Sequence, residues 1–219
     1  SFQDDATRML RGVRYEQRFG FGFEPRTLDL LLRDRSYLDT ISGDRLRHEF
    51  ERTFEEDEPE GALQRLDALR LLDSTCPGLC FGVEQASAMA LARRERLTPS
   101  QRRSVCWCVL AWGLDTSGIE SLRARLNLRR SVADDIADTV ALTQLEPLLD
   151  QPGLQPSGIL DLLQGRSPAA LAVAALLFKR PAARARVALY LSRLRHMRPS
   201  LTGSDLLQLG FRGGPEVGR

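Results

Sequence analysis

Proline and short polar residues stand at the head of one apolar-periodic segment after another, and this punctuation commits the chain to helices. Proline lacks a backbone N–H and has a fixed φ, so it is tolerated in the first turn of a helix and disruptive further in. Pro25, Pro59, Pro99 and Pro168 each open such a segment, and no stretch alternates apolar and polar residues as a half-buried strand would. Asp4 or Asp5 is placed to cap a first helix that runs to Phe19, where Gly20 and Gly22 end it. Pro25 opens a second helix through Leu28, Leu31 and Leu32. Ser42 is placed to cap a third, with Leu46, Phe50 and Phe54 on one face. Pro59 starts a fourth, with Leu63, Leu66, Leu69 and Leu71 as its core side, which Pro77 and Gly78 break. Between these two the acidic run Glu55 to Glu60 forms a corner expected to face water. Further helices are expected over Val83–Arg94, Pro99–Ala111, Gly118–Leu126, Val132–Leu142, Ser157–Gln164, Pro168–Leu177, Ala182–Leu194 and Thr202–Leu209. The reading is an all-α chain, divided loosely at the proline- and glycine-containing segment Gln151 to Pro156.

A chain of 219 residues with 42% hydrophobic and 27% charged residues can bury a core without staples and is not a disordered one. The longest apolar stretch, Ala169 to Phe178, is far shorter than the roughly 20 residues a bilayer-spanning helix needs. With a charged amino terminus and no leader pattern, the expected location is cytoplasmic, with no membrane partner. The sequence opens just before a helix cap and stops after a glycine-rich turn, which reads as a piece of a longer chain.

Of 31 basic residues only Lys179 is a lysine, and the arginine fork suits phosphates and base edges. The net charge of +2 hides an asymmetry. Acids crowd the stretch from Asp44 to Asp73, whereas none lies between Asp161 and Asp205. That second stretch holds Arg166, Lys179, Arg180, Arg184, Arg186, Arg193, Arg195 and Arg198. A one-sided basic segment is the footprint of a nucleic-acid partner, and on charge alone it is equally that of a solvated helix face. Lys179, Arg186 and Arg193 recur every seven residues, which would keep them near one helix face.

The four cysteines, Cys76, Cys80, Cys106 and Cys108, have spacings that do not match structural zinc sites and read as reduced, structural thiols. His48 and His196 lie far apart in charged helical stretches and give no nucleophilic site. No metal site is expected.

The first helix carries the chemistry. Asp5 and Arg8, three residues apart, place an acceptor beside a donor, and Arg11, Arg14 and Arg18 extend that face. Cytosine and adenine each present an exocyclic amine beside an unprotonated ring nitrogen. Asp5 would accept from the amine while Arg8 donates to the nitrogen. Uracil and guanine present the reverse polarity and would leave both protein groups unmatched. The same spacing is also that of an ordinary surface ion pair.

The run Asp4-Asp5-Ala6-Thr7-Arg8-Met9-Leu10-Arg11-Gly12-Val13-Arg14, with Arg18-Phe19-Gly20-Phe21 and Glu24-Pro25-Arg26-Thr27-Leu28, resembles the neck of bacterial class II tRNA nucleotidyltransferases and poly(A) polymerases. In that family E-D-x-x-R reads the incoming ATP or CTP. Its Asp and Arg fall on Asp5 and Arg8, its next arginine on Arg11, and Asp4 stands where the family usually has Glu. Residues 41–52 and 62–72 are similar to the segment beside the family's RNA site. The run Leu201 to Gly210 and Gly214-Pro215-Glu216-Val217-Gly218 are similar to its terminal pattern.

The resemblance implies a neck and RNA-binding segment over 1–75, a helical body over 76–150 and a basic helical tail over 151–219. It implies a template-independent enzyme adding C or A, or both, to RNA 3′ ends, as tRNA CCA or poly(A). Nucleoside triphosphate and RNA, as the acceptor end of tRNA, are the implied partners. The base would be held by Asp5, Arg8 and Arg11, and the RNA by Lys179, Arg180, Arg184, Arg186, Arg193, Arg195 and Arg198. The family's metal-binding D-x-D pair occurs nowhere in these 219 residues; Asp134-Asp135 is adjacent rather than spaced and reads as a solvated face. Catalytic residues and Mg are therefore expected in an upstream head, without which this chain would be inactive. A stand-alone, non-catalytic helical RNA-binding module is the alternative.

Overall fold

The computed structural model describes residues 1–197, and over these the chain is helical with no strand. Arg198, the expected helix at Thr202–Leu209 and the terminal glycine-rich pattern lie outside the described residues. Among the described residues twelve α-helices follow in order: α1 (Thr7–Phe19), α2 (Pro25–Asp34), α3 (Gly43–Phe54), α4 (Pro59–Ala68), α5 (Leu71–Thr75), α6 (Val83–Ala92), α7 (Pro99–Leu110), α8 (Thr116–Leu126), α9 (Arg130–Leu149), α10 (Pro156–Leu163), α11 (Pro168–Leu177) and α12 (Pro181–Ser192). Short 3₁₀ segments cover Arg35–Thr40 and Leu194–His196.

Local chemistry accounts for most boundaries. The Glu24 carboxylate accepts from the backbone N–H groups of Arg26 and Thr27 at 3.0 and 2.8 Å, and Pro25 takes the first helical position of α2. Thr98 and Gln101 form a reciprocal capping box at the head of α7. Gly20 ends α1 in the left-handed region, at φ 64°. Ser42 stands at the N-cap of α3 in extended backbone, but its hydroxyl makes no capping bond. The single helix expected from Pro59 through Leu71 is two, because Arg70 adopts a left-handed conformation (φ 60°) between α4 and α5. Helix α9 runs well past Leu142 to Leu149, with Pro147 inside its last turn.

Two apolar clusters form the core. The larger joins α1, α3, α4, α6, α7 and α8 around fully buried Trp107, against which Phe54 packs edge-on at a 5.0 Å centroid distance. The second gathers Leu142 and Leu149 of α9 with Ile159, Phe178, Val187 and Leu194. The two meet along α9 and α11: Ile136 and Val173 face the first, and Leu149 and Ala174 face the second. Cys76, Cys106 and Cys108 are buried free thiols and Cys80 is exposed. Burial pushes the Cys106 and Cys108 thiols up to about 12, as expected of inert core groups. No described helix is long and apolar enough to cross a membrane.

Candidate functional site

The amino end of α1 meets the first turns of α3, and both ends present unpaired backbone donors and positive dipole. Asp5 sits there, two residues before α1 begins and next to its N-cap residue Ala6. Its Oδ1 accepts from the Thr7 hydroxyl at 2.6 Å, the Thr7 backbone N–H at 3.1 Å and Arg45 of α3 at 2.9 Å. Its Oδ2 accepts one bond, from Arg11 at 3.0 Å. The Thr7 hydroxyl bond, then the Thr7 N–H, Arg45 and Arg11, hold the Asp5 carboxyl below its ordinary value against the opposing cost of burial. Asp5 is therefore acceptor-only at neutral pH. A carboxylate oxygen has two acceptor sites, so Oδ2 keeps one.

Arg8 does not bond Asp5. Its guanidinium is exposed and makes one long contact, 3.4 Å, to the Ser1 carbonyl. Arg11 lies between Asp5 and Glu49, with its Nε 3.7 Å from the Glu49 carboxylate and without a hydrogen-bond partner. A shallow cleft lined by Thr7, Arg11, Asp44, Arg45, His48 and Glu49 runs along this junction. Arg45 is a member that the sequence reading missed.

Arg14 and Arg18 do not extend an open face. Arg14 is 5% exposed and reaches Glu49 at 3.5 Å and Glu56 at 3.3 Å, while Arg18 grips Glu56 at 2.5 and 2.7 Å. Glu16 of the same helix is buried under Arg65 of α4 at 2.8 Å. These pairs clamp α1 to α3 and α4 and hold the amino end of α1 in place. The acidic corner is correspondingly less wet than expected. Glu56 is tucked under two arginines and Glu60 pairs with Arg93 at 2.9 Å, while Asp57 and Glu58 remain exposed. The available signal was a matched stripe: Arg11 and Arg18 are seven residues apart, as are Glu49 and Glu56.

The basic carboxy-terminal segment also differs from expectation. Lys179 precedes α12 and Arg193 follows it, so the seven-residue spacing does not lie on one helix. Arg180 pairs with Asp150 at 2.9 Å, Arg184 donates to the Phe178 carbonyl, and half-buried Arg186 donates to the Leu149 carbonyl at the end of α9. Arg166 pairs with Asp138 at 3.1 Å. Lys179 and Arg193 are exposed, and Arg195 contacts His196 at 3.0 Å. Asp134 is solvated, but Asp135 accepts from the Ser167 hydroxyl at the head of α11 rather than facing water. Among the described residues no three His, Cys, Asp or Glu side chains stand together as a metal site.

Comparison with known proteins bears on this junction. Residues 20–81, covering α2 to α5, match a family model described as "Probable RNA and SrmB- binding site of polymerase A". Over 98% of its length the chain is 26% identical to an A-adding tRNA nucleotidyltransferase of Geobacter sulfurreducens, covering 26% of that protein. Over its whole length it is 29% identical to a CCA-adding enzyme of Lacticaseibacillus paracasei, covering 53% of it. The fold matches that of the Thermotoga maritima CCA-adding enzyme complexed with tRNA, with a TM-score of 0.76 at 24% identity, over 99% of this chain and 55% of that one. The chain thus spans about half or less of the relatives it matches.

Proposed function

From the premise that this chain is a homologue of the bacterial tRNA nucleotidyltransferases and carries an RNA-binding segment of that family, we propose that it supplies the nucleotide-selecting and RNA-holding part of an enzyme adding C, A or both to RNA 3′ ends. The transfer itself is assigned to a head outside these 219 residues. ATP and CTP are the nucleotide substrates of the reading, and the acceptor end of tRNA is its RNA partner.

One observation carries the base-reading part: the anionic Asp5 keeps an acceptor position on Oδ2, and the guanidinium of Arg8, three residues on, is exposed with a single long contact to the Ser1 carbonyl. An exocyclic amine bonds that oxygen while Arg8 turns onto the neighbouring ring nitrogen. Thr7, Arg11 and Arg45 fix the carboxylate, so the selecting group is preorganised rather than recruited. Uracil and guanine would set a carbonyl against a carboxylate and an N–H against a guanidinium, and each mismatch leaves a desolvated polar group unpaired. Of the carboxy-terminal basic residues, Lys179 and Arg193 are the exposed candidates for phosphate contact; Arg180, Arg184 and Arg186 are engaged within the fold.

The test uses a full-length protein carrying this chain and follows incorporation from each of the four nucleoside triphosphates into a tRNA ending before its CCA. Arg8→Ala is expected to lower A and C addition at least about ten-fold and to erode discrimination against U and G, as loss of a base-edge hydrogen bond does. Unchanged rates and preference would remove the base-reading claim.

A further inference from the structure

Three exposed arginines, Arg123, Arg129 and Arg130, lie together at the α8–α9 corner. Arg47 of α3 donates to the carbonyls of Leu126 and Asn127 at the end of α8, and the Asn127 amide donates back to Asp44 at 3.2 Å. The α8–α9 junction is therefore fastened directly beside Arg45, which holds Asp5. From this junction Arg123, Arg129 and Arg130 project into solvent, the last with its side chain 92% exposed. The neighbouring acids do not cancel them: Asp44 is taken up by Arg47 at 2.8 Å and the Asn127 amide, Asp134 reaches Arg130 at 3.9 Å with both groups open to water, and exposed Glu120 lies one turn before Arg123. The 20-residue α9 adds its amino end at the same corner, with no acid in its first turn. These side chains make a cationic patch at the α8–α9 junction, which Arg47 ties to α3, the helix that also carries Arg45.

We propose that this patch is an RNA phosphate track, in which Arg123, Arg129 and Arg130 hold the backbone of the RNA whose 3′ end is presented at the Asp5–Arg8 corner. The assignment rests on the reading of the Asp5 corner given above. It places phosphate binding on the body side of the molecule in addition to the carboxy-terminal segment, whose arginines are largely consumed by Asp138, Asp150 and helix-end carbonyls. Guanidinium–phosphate contacts position without reading sequence, which suits a substrate recognised by shape.

The experiment titrates a fluorescein-labelled tRNA transcript with the 219-residue chain and follows anisotropy across a series of KCl concentrations. Arg129→Gln/Arg130→Gln removes two exposed cations and no core contact, so circular dichroism is expected to be unchanged. Affinity is expected to fall about ten-fold at roughly 0.1 M salt, and the slope of log K against log salt to shrink by about two. Arg94→Gln/Arg96→Gln, which removes the same charge from the loop after α6, is expected to change affinity less than about two-fold. Equal losses in both variants would reduce the effect to net charge and overturn the track. Unchanged affinity and slope in Arg129→Gln/Arg130→Gln, with the parent chain binding normally, would overturn the track and leave the function proposed above standing. No binding by the parent chain would overturn the track together with the RNA-holding part of the function proposed above.

Discussion

Removing the Arg14 guanidinium tests whether the junction is held by buried ion pairs. Arg14→Met keeps an apolar stem of similar length and deletes two charge-assisted contacts, to Glu49 at 3.5 Å and Glu56 at 3.3 Å. Such bonds contribute about 1.5–3 kcal/mol each, and these distances are at the long end of the range. The carboxylates are not abandoned: Glu49 still faces Arg11 at 3.7 Å, and Glu56 keeps Arg18 at 2.5 and 2.7 Å. The loss is therefore set at the low end, about 3 kcal/mol, below that for a buried charge with no partner. For a chain of this size that corresponds to a Tm lower by about 6–12 °C. Burial pushes the Glu56 carboxyl up, but the bonds from Arg18 and Arg14 outweigh it and leave the group below its ordinary 4.5. A depressed folded pKa stabilises above the unfolded value and ceases to do so as pH falls through the folded one. The gap between parent and variant should thus be full at pH 7 and narrow in acid below 4.5. Urea unfolding followed by far-UV circular dichroism at both pH values measures it. A loss under about 1 kcal/mol at pH 7, or a gap that stays constant in acid, would refute the ion-pair account.

Two further outcomes follow from the packing. Gly43 opens α3 where an added Cβ would stand 2.3 Å from the Arg125 carbonyl oxygen, and backbone cannot yield as a side chain can. Gly43→Ala is accordingly expected to cost about 2 kcal/mol or more in urea unfolding, by prising α8 from α3. In native conditions iodoacetamide should label Cys80 alone among the four cysteines within minutes, while Cys76, Cys106 and Cys108 react only after denaturation; mass spectrometry distinguishes one adduct from four.

The helices were legible because their determinants are local. Pro25, Pro59, Pro99 and Pro168 stand in first turns, and Gly20 ends α1, so each boundary is decided within a few residues. The misses have causes that sequence spacing does not contain. Arg70 is no usual helix breaker, yet it takes up left-handed backbone and divides α4 from α5. The helix expected to end at Leu142 runs on to Leu149, with Pro147 accommodated in its last turn, where Leu149 inserts into the second core. In these cases packing of the flanking leucines overrides the local preference.

Charge was the least reliable guide, and the reason is geometric. In sequence the acids of residues 44–73 and the cations of 161–205 look like two opposed surfaces. In the fold Glu49 and Glu56 are covered by arginines from 35 to 42 residues earlier in the chain, and the carboxy-terminal arginines turn inward to Asp138, Asp150 and the helix-end carbonyls of Leu149 and Phe178. A guanidinium has five donors, so an arginine-rich segment can be structural glue as readily as a ligand surface. What marks a cation as available is the absence of a carboxylate or carbonyl partner across the fold. That criterion favours Arg8, Arg123 and Arg129 over Arg14, Arg180 and Arg186, and it separates two uses of arginine that composition alone merges. The Asp5 corner combines them: Arg11 and Arg45 are spent fixing one carboxylate, which leaves Arg8 as the donor that can still turn toward a ligand.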